Sequence, residues 1–434
     1  MSSIMVGIVG FVAILMLIMF MKLPIGFAMI LVGVAGIAYL TSIETAVNML
    51  GRQVLTSAAS YDMAVVAMFI LMGEMAFSAG ISDRAYEAAY KWLGKFRGGL
   101  AMATIGASAA FAAVCGSSPA TAATVGSISI SEMKKYGYDD VLATGSVAAG
   151  GALGILIPPS VGFILLGLLT EQSIGSLYMA GILPGILLTV LFMIVAYIMA
   201  KVNPEVNNNM LSFSMREKLL SLKGIIEVVV IFVVCIGGLI FGFFTPTEAG
   251  AVGVIAVLIA SLIKRSISLK KLTDSLRKST AMVGMVLTIF IGAMIFSSFL
   301  AASTLPFKLG EMISGLHLPP ILIVSAIIIL WLILGCVMDA IAMIMLTVPI
   351  IYPIIIHLGF DPIWFCVLGV IAIEAGLITP PIGMNVYIIA GIAKDIPLHK
   401  IFKGTLPFLV AILILIVLIM AFPDIALFLP NVLR

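Results

Sequence analysis

The chain has 434 residues, of which 62% are hydrophobic and 10% charged, and its mean hydropathy is +1.28. So few charges cannot coat a soluble core of that apolar content, so lipid must be its main solvent. A net charge of +3 is too small to mark a nucleic-acid-binding surface; where the basic residues sit matters more than their sum.

The first apolar stretch, from Ile4 to Met21, has no basic leader and no small-residue cleavage site before the next run starts at Pro24, so it reads as a retained span. A helix needs about 20 apolar residues to cross about 30 Å of hydrocarbon. By that ruler, full spans fall at 4–21, 24–40, 61–80, 177–200, 224–243, 247–263, 280–300 and 404–422. Segment 82–98, with Trp92 and Phe96 among Arg84, Lys91, Lys95 and Arg97, reads as an amphipathic helix lying on the membrane surface, and 264–278 reads similarly. The stretches 99–131 and 319–352 exceed one crossing but fall short of two crossings plus a turn, so each should enter and leave on one side as a re-entrant hairpin. Cys115-Gly116-Ser117-Ser118-Pro119 supplies turn chemistry at the middle of the first. Segments 140–170 and 361–391 are each one crossing interrupted by a proline pair, Pro158-Pro159 and Pro380-Pro381.

With both hairpins re-entrant, the basic clusters at 84–97, 134–135, 216–223, 264–278 and 394–403 all fall on the cytoplasmic side, and both termini face the periplasm. The chain also repeats itself. Gly73 aligns with Gly292 and Gly116 with Gly335, both 219 residues apart; Gly137 aligns with Gly359 and Pro158 with Pro380, both 222 apart. The expected fold is therefore an all-α polytopic membrane protein of two inverted repeats. The first spans 1–200, a cytoplasmic linker spans 201–223, and the second repeat spans 224–434.

Paired broken helices in equivalent positions mark a transporter's binding site, because proline leaves backbone polar groups that must face an ion, a cavity or protein. The Gly116-Ser117-Ser118 tip and the Gly154 to Ser160 and Gly376 to Gly383 stretches are the candidates, with small-residue packing or a bare kink as the plainer readings. Asp339 is costly inside an apolar hairpin, so it either serves a ligand or caps the following helix. Glu374 and Glu74 also lie within spans and are either bundle-facing structural carboxylates or transport residues. Thr245-Pro246-Thr247-Glu248 reads as a capping box. His317, His357 and His399 fall near different loops, and the four cysteines have no C-x-x-C spacing, so neither set suggests a metal centre. H-E-x-x-H and G-x-S-x-G are absent, which argues against an intramembrane enzyme, and two symmetric interrupted hairpins suit alternating access better than a channel.

The Gly-Ser-Ser-Pro-Ala tip, Gly137-Tyr138, the Ile155 to Ser160 run, the Phe244 to Gly250 run and Glu374-x-Gly376-x-x-Thr379-Pro380-Pro381-x-Gly383 together resemble the large membrane subunit of TRAP (tripartite ATP-independent periplasmic) transporters over essentially the whole chain. The resemblance implies a sodium-driven, elevator-type importer of organic acids such as sialic acid or C4-dicarboxylates in the bacterial inner membrane. It would be fed by a periplasmic substrate-binding protein and paired with a small membrane subunit on a separate chain, with Na+ as coupling ion and no organic cofactor. Carried over, one sodium site uses Ser117, Ser118, Gly154, Ile157 and Pro159, and the other Gly335, Gly376 and Thr379. Substrate then lies near Ser117, Ser160, Asp339 and Asn385, with Glu374 a further candidate. No arginine falls within the expected transport core, so anion binding passes to helix N-termini, hydroxyls and bound sodium. The rival reading is a stand-alone sodium- or proton-coupled dicarboxylate carrier of the same two-hairpin architecture.

Overall fold

Glycine and proline, more than the length of the apolar runs, decide where these helices stop. The computed structural model describes residues 2–202, 213–315 and 318–433, and within them the chain is helical with no strand. In order, the helices are α1 Ser3–Met21, α2 Ile25–Leu40, α3 Ile43–Ala58, α4 Tyr61–Ser78, α5 Ile81–Leu93, α6 Gly99–Cys115, α7 Ser118–Lys135, α8 Asp140–Leu156, α9 Val161–Thr170 and α10 Ile174–Val202. The second part runs α11 Met215–Phe232, α12 Gly238–Ile240, α13 Pro246–Ile263, α14 Leu269–Ser303, α15 Leu305–Gly315, α16 Pro320–Gly335, α17 Ala340–His357, α18 Pro362–Leu377, α19 Met384–Ile392, α20 Leu398–Ala421 and α21 Asp424–Val432. Among the described residues, 8 helical stretches are long and apolar enough to cross a bilayer; the chain is a multi-span membrane protein.

Both expected hairpins form. α6 and α7 turn back at Gly116, whose φ of 67° is the left-handed conformation glycine takes without a Cβ penalty. α16 and α17 turn between Gly335 and Asp339, and both second arms run past the expected ends, to Lys135 and His357. Both proline pairs break their helix, leaving α8 apart from α9 and α18 apart from α19. The capping box at Thr245 and Glu248 is present with both reciprocal hydrogen bonds.

Three features differ from the sequence reading. Residues 269–278 are not a separate surface helix but the first turns of the 35-residue α14, capped by Ser268; no breaker separates them from the apolar part that follows. Helix α3 meets no span criterion, because Glu44, Asn48, Arg52 and Gln53 dilute its apolar content while leaving one apolar face. α11 starts at Met215 behind a Ser214–Glu217 capping box, so the basic residues 216–223 are helical; residues 203–212 of the expected linker, and His317, lie outside the described residues. His357 ends α17 and His399 lies in the first turn of α20.

Packing divides the helices into two sets. In one, α2 lies along α14 and α4 along α13 and α14, with small residues bringing backbones together: a Cβ at Gly33 would lie 3.1 Å from Phe296 N. In the other, the two hairpins enclose the broken helices. α6 and α7 pack on α8, and α16 packs on α18. The second arms cross over, α7 touching α19 of the other half and α17 touching α9. This arrangement brings the tips to the breaks.

Candidate site at the hairpin tips and helix breaks

At the first tip, Val161 N–H donates to Gly116 O at 3.2 Å, tying the hairpin turn to the start of α9. The fit is close: a Cβ on Gly116 would lie 2.6 Å from Pro159 O, and one on Gly154 2.7 Å from Ser118 Cα. Ser117 caps α7 by accepting from Ala120 N–H at 3.5 Å, and Ser160 caps α9 by accepting from Phe163 N–H at 3.2 Å. Two half-helix N-termini, each a partial positive charge, thus sit side by side. Of the first expected sodium set, Ser117, Ser118, Gly154 and Pro159 come together; Ile157 ends α8 in extended conformation, with its side chain against Gly185 of α10.

The second tip meets its break in the same way. Cys336 O accepts from both Ile382 N–H and Gly383 N–H at 3.2 Å, and a Cβ on Gly335 would lie 2.9 Å from Gly376 Cα. Gly335 and Gly376 are therefore in direct backbone contact. Backbone oxygens gather beside Gly383, where an added Cβ would sit 3.1 Å from Thr379 O and 3.2 Å from Leu377 O. Thr379 Oγ1 donates its proton to Ala375 O at 2.6 Å, which leaves the oxygen's lone pairs as acceptors. Asp339 caps α17, accepting from Ala342 N–H at 3.1 Å, as its plainer reading expected.

Two buried polar residues join the halves. Ser118 Oγ donates to Glu374 Oε1, linking the first tip to the last turn of α18, and Glu374 is fully buried. Asn385, also fully buried, reaches across to Ala148 O of α8 at 3.5 Å. Among the described residues, Glu374 Oε2 and Asn385 Oδ1 are buried without a hydrogen-bond partner. Glu74 lies on α4 next to Gly73, which abuts Cys115 of the first hairpin; Ser275 Oγ donates to its backbone oxygen at 3.4 Å, and among the described residues its Oε2 is likewise buried without a partner. Among the described residues, no three His, Cys, Asp or Glu side chains cluster as a transition-metal site would require. Oxygens from hydroxyls and broken backbone are the donors a hard cation takes.

A sequence-family model described as "Tripartite ATP-independent periplasmic transporter, DctM component" matches residues 12–425. The chain is 35% identical over 372 residues to the C4-dicarboxylate TRAP transporter large permease protein DctM of Pseudomonas aeruginosa, with 86% of each chain covered. It is 31% identical over 414 residues to the sialic acid TRAP transporter large permease protein SiaM of Vibrio cholerae, covering 95% of this chain and 96% of that one. It is also 32% identical over 392 residues to the isethionate TRAP transporter permease protein DctMQ of Oleidesulfovibrio alaskensis, but there 88% of this chain matches only 61% of a longer relative. Among solved structures, the Alcanivorax borkumensis YdaH transporter, described as having an unusual topology, superposes with a TM-score of 0.64 over 88% of this chain and 89% of its own. At 15% identity that likeness speaks for a shared fold alone.

Proposed function

Because the chain belongs to the DctM component family of tripartite ATP-independent periplasmic transporters, we propose that it carries a small organic acid across the bacterial inner membrane, driven by sodium and by an elevator-type movement. The substrate would be of the C4-dicarboxylate, sialic acid or similar acid class, delivered by a periplasmic substrate-binding protein. A small membrane subunit on a separate chain would complete the complex. Transport rather than catalysis is the established business of the relatives, which are permeases.

The observation that carries the reading is the duplicated contact of a hairpin tip with a broken helix, Gly116 O to Val161 N in one half and Cys336 O to Ile382 N and Gly383 N in the other. Each contact leaves helix N-termini and free backbone oxygens away from lipid, which the bilayer tolerates only around a ligand, water or protein. Sodium would be held by Ser117, Ser118, Gly154, Ile157 and Pro159 at the first, and by Gly335, Gly376 and Thr379 at the second. The carboxylate would face the N-termini of the half-helices near Ser117, Ser160, Asp339 and Asn385.

Uptake into proteoliposomes tests the reading. Accumulation should require a sodium gradient, the binding protein and the small subunit together. Sodium-driven uptake by this chain alone would instead establish a stand-alone carrier. Replacing Thr379 by Ala should raise the sodium concentration needed for half-maximal uptake while leaving membrane insertion intact, and an unchanged sodium dependence would remove Thr379 from the site.

A further inference from the structure

The crossing of the two halves is not symmetric in its polar contacts. Under the internal repeat, Ser118 corresponds to Val337 and Glu374 to Ala152. The hydrogen bond from Ser118 to Glu374 therefore has no counterpart at the mirror-related positions, where neither Val337 nor Ala152 carries a polar side-chain atom. A fully buried carboxyl group in a membrane protein is costly unless its contacts repay that cost. Helix α18 touches both tips within three residues. Glu374 accepts from Ser118 of the first tip, while Ile373 O and Gly376 lie against Gly335 of the second.

We propose that Glu374 is a positioning residue that couples the two tips, so that ordering of the first hairpin at Ser118 is transmitted through α18 to the Gly376–Gly335 contact of the second. This deepens the reading of both tips as ligand sites and rests on it for its functional meaning, but the mechanical link itself can be tested without any ion. The chemistry is that of one hydrogen bond at the end of a rigid lever. Ser118 fixes the lateral position of α18 through Oε1, and α18 in turn presents Gly376 to Gly335 at backbone contact, where no side chain can absorb a shift.

Cysteines already stand at the right places, since Cys115 precedes the first tip glycine and Cys336 follows the second. With Cys115, Cys235 and Cys366 replaced by Ala, the remaining Cys336 thiol of the full chain in native membranes reports the second tip through its rate of reaction with a maleimide. Ser118→Ala, a change at the opposite hairpin, is expected to speed Cys336 labelling by about tenfold, the factor for losing one buried hydrogen bond to a carboxyl group. Glu374→Ala should give the same rate, the double variant no more than either single one, and Glu374→Gln, whose amide oxygen still accepts from Ser118, a rate close to the parent's. Unchanged labelling in Ser118→Ala, or single effects that multiply in the double variant, would overturn the coupling. So would an equal rise for a variant keeping only Cys366, buried within α18, because that means general loosening. In uptake assays on the complete transporter, the sodium Hill coefficient should drop towards 1 in Glu374→Ala and recover in Glu374→Gln. A parent protein indifferent to sodium would count against the sodium reading and leave the Cys336 result to decide the coupling.

Discussion

Gly116 carries two separable burdens, and substitution to Ala measures both. Its φ of 67° costs an L-residue about 1–2 kcal/mol. The new methyl would also stand 2.6 Å from Pro159 O, a backbone atom that cannot turn aside, and overpacking of that kind costs about 1–3 kcal/mol. Gly242 provides the control, because its φ is 73° but nothing lies within 4 Å of a Cβ built on it. Gly242→Ala should therefore cost only the backbone part, and the excess in Gly116→Ala, about 1–3 kcal/mol or about 5- to 150-fold in an equilibrium, is the contact of tip with break. Graded unfolding of the purified protein by denaturing detergent, followed by helical circular dichroism, gives both costs, and proteoliposome uptake shows whether the excess matters for transport. Equal destabilisation by the two substitutions would refute close docking of the first tip on Pro159. Normal uptake by a Gly116→Ala protein would show that the docking is dispensable.

Other consequences are more local. Trp331 Nε1 donates to Thr347 Oγ1 at 2.8 Å between the arms of the second hairpin, both residues being buried; Thr347→Val should cost about 1–3 kcal/mol by leaving the indole N–H unpaired, and detergent unfolding matching the parent's would count against that bond. Arg84 holds Glu227 through two nitrogens, at 3.1 and 2.9 Å, and so fastens α5 to α11, so Arg84→Lys should loosen α5 because an ammonium lacks the planar fork; limited proteolysis after Arg97 should accelerate, and no change would mean that Lys264, which also contacts Glu227, suffices. The hydrogen bond from Lys134 holds the exposed Asp395 carboxyl below its usual range. A depressed carboxylate stabilises the fold above its unfolded value of about 3.9 and loses that contribution as pH falls through the folded one. The small stability difference between the parent and Asp395→Asn should thus be flat from about pH 6 to 8 and close below about pH 4; a difference that instead varied around neutrality would assign it to another group.

Much of this architecture was legible because its signals are local. An apolar run of the wrong length around Gly116-Ser117-Ser118 can only be a hairpin, and consecutive prolines at 158–159 and 380–381 can only interrupt a helix. Single prolines mislead more easily: Pro184, Pro349, Pro353 and Pro407 all sit inside continuous helices, where neighbouring groups take up the freed carbonyl. Helix α3 was hidden because a polar, short amphipathic segment satisfies no span criterion. The bond from Ser118 to Glu374 was hidden for a different reason. Its partners are 256 residues apart, and only the crossing of the second hairpin arms onto the opposite half brings α7 and α18 together. No periodicity records that crossing. Asp339 showed the converse limit, since a carboxylate before a hairpin arm has the same spacing whether it caps the helix or binds a ligand.

The two repeats are alike in sequence and in pairing, yet unlike in position. α2 of the first half pairs with α14 of the second, and α13 of the second with α4 of the first, so this outer set respects the internal symmetry. Gly73 and Gly292 occupy equivalent places in that set. Gly73 nevertheless abuts the first hairpin, where a Cβ would lie 2.9 Å from Cys115 O, whereas Gly292 abuts α2, where a Cβ would lie 2.5 Å from Gly26 O. Equivalent glycines thus serve non-equivalent contacts. Glycine at position 73 lets a hairpin tip approach a helix backbone to a distance that any side chain would forbid, and glycine at position 292 does the same for the backbone of α2. Packing in this one arrangement accounts for both glycines, position 73 admitting a hairpin tip and position 292 a neighbouring helix at backbone contact, so the repeat keeps the residue while the fold changes what it meets.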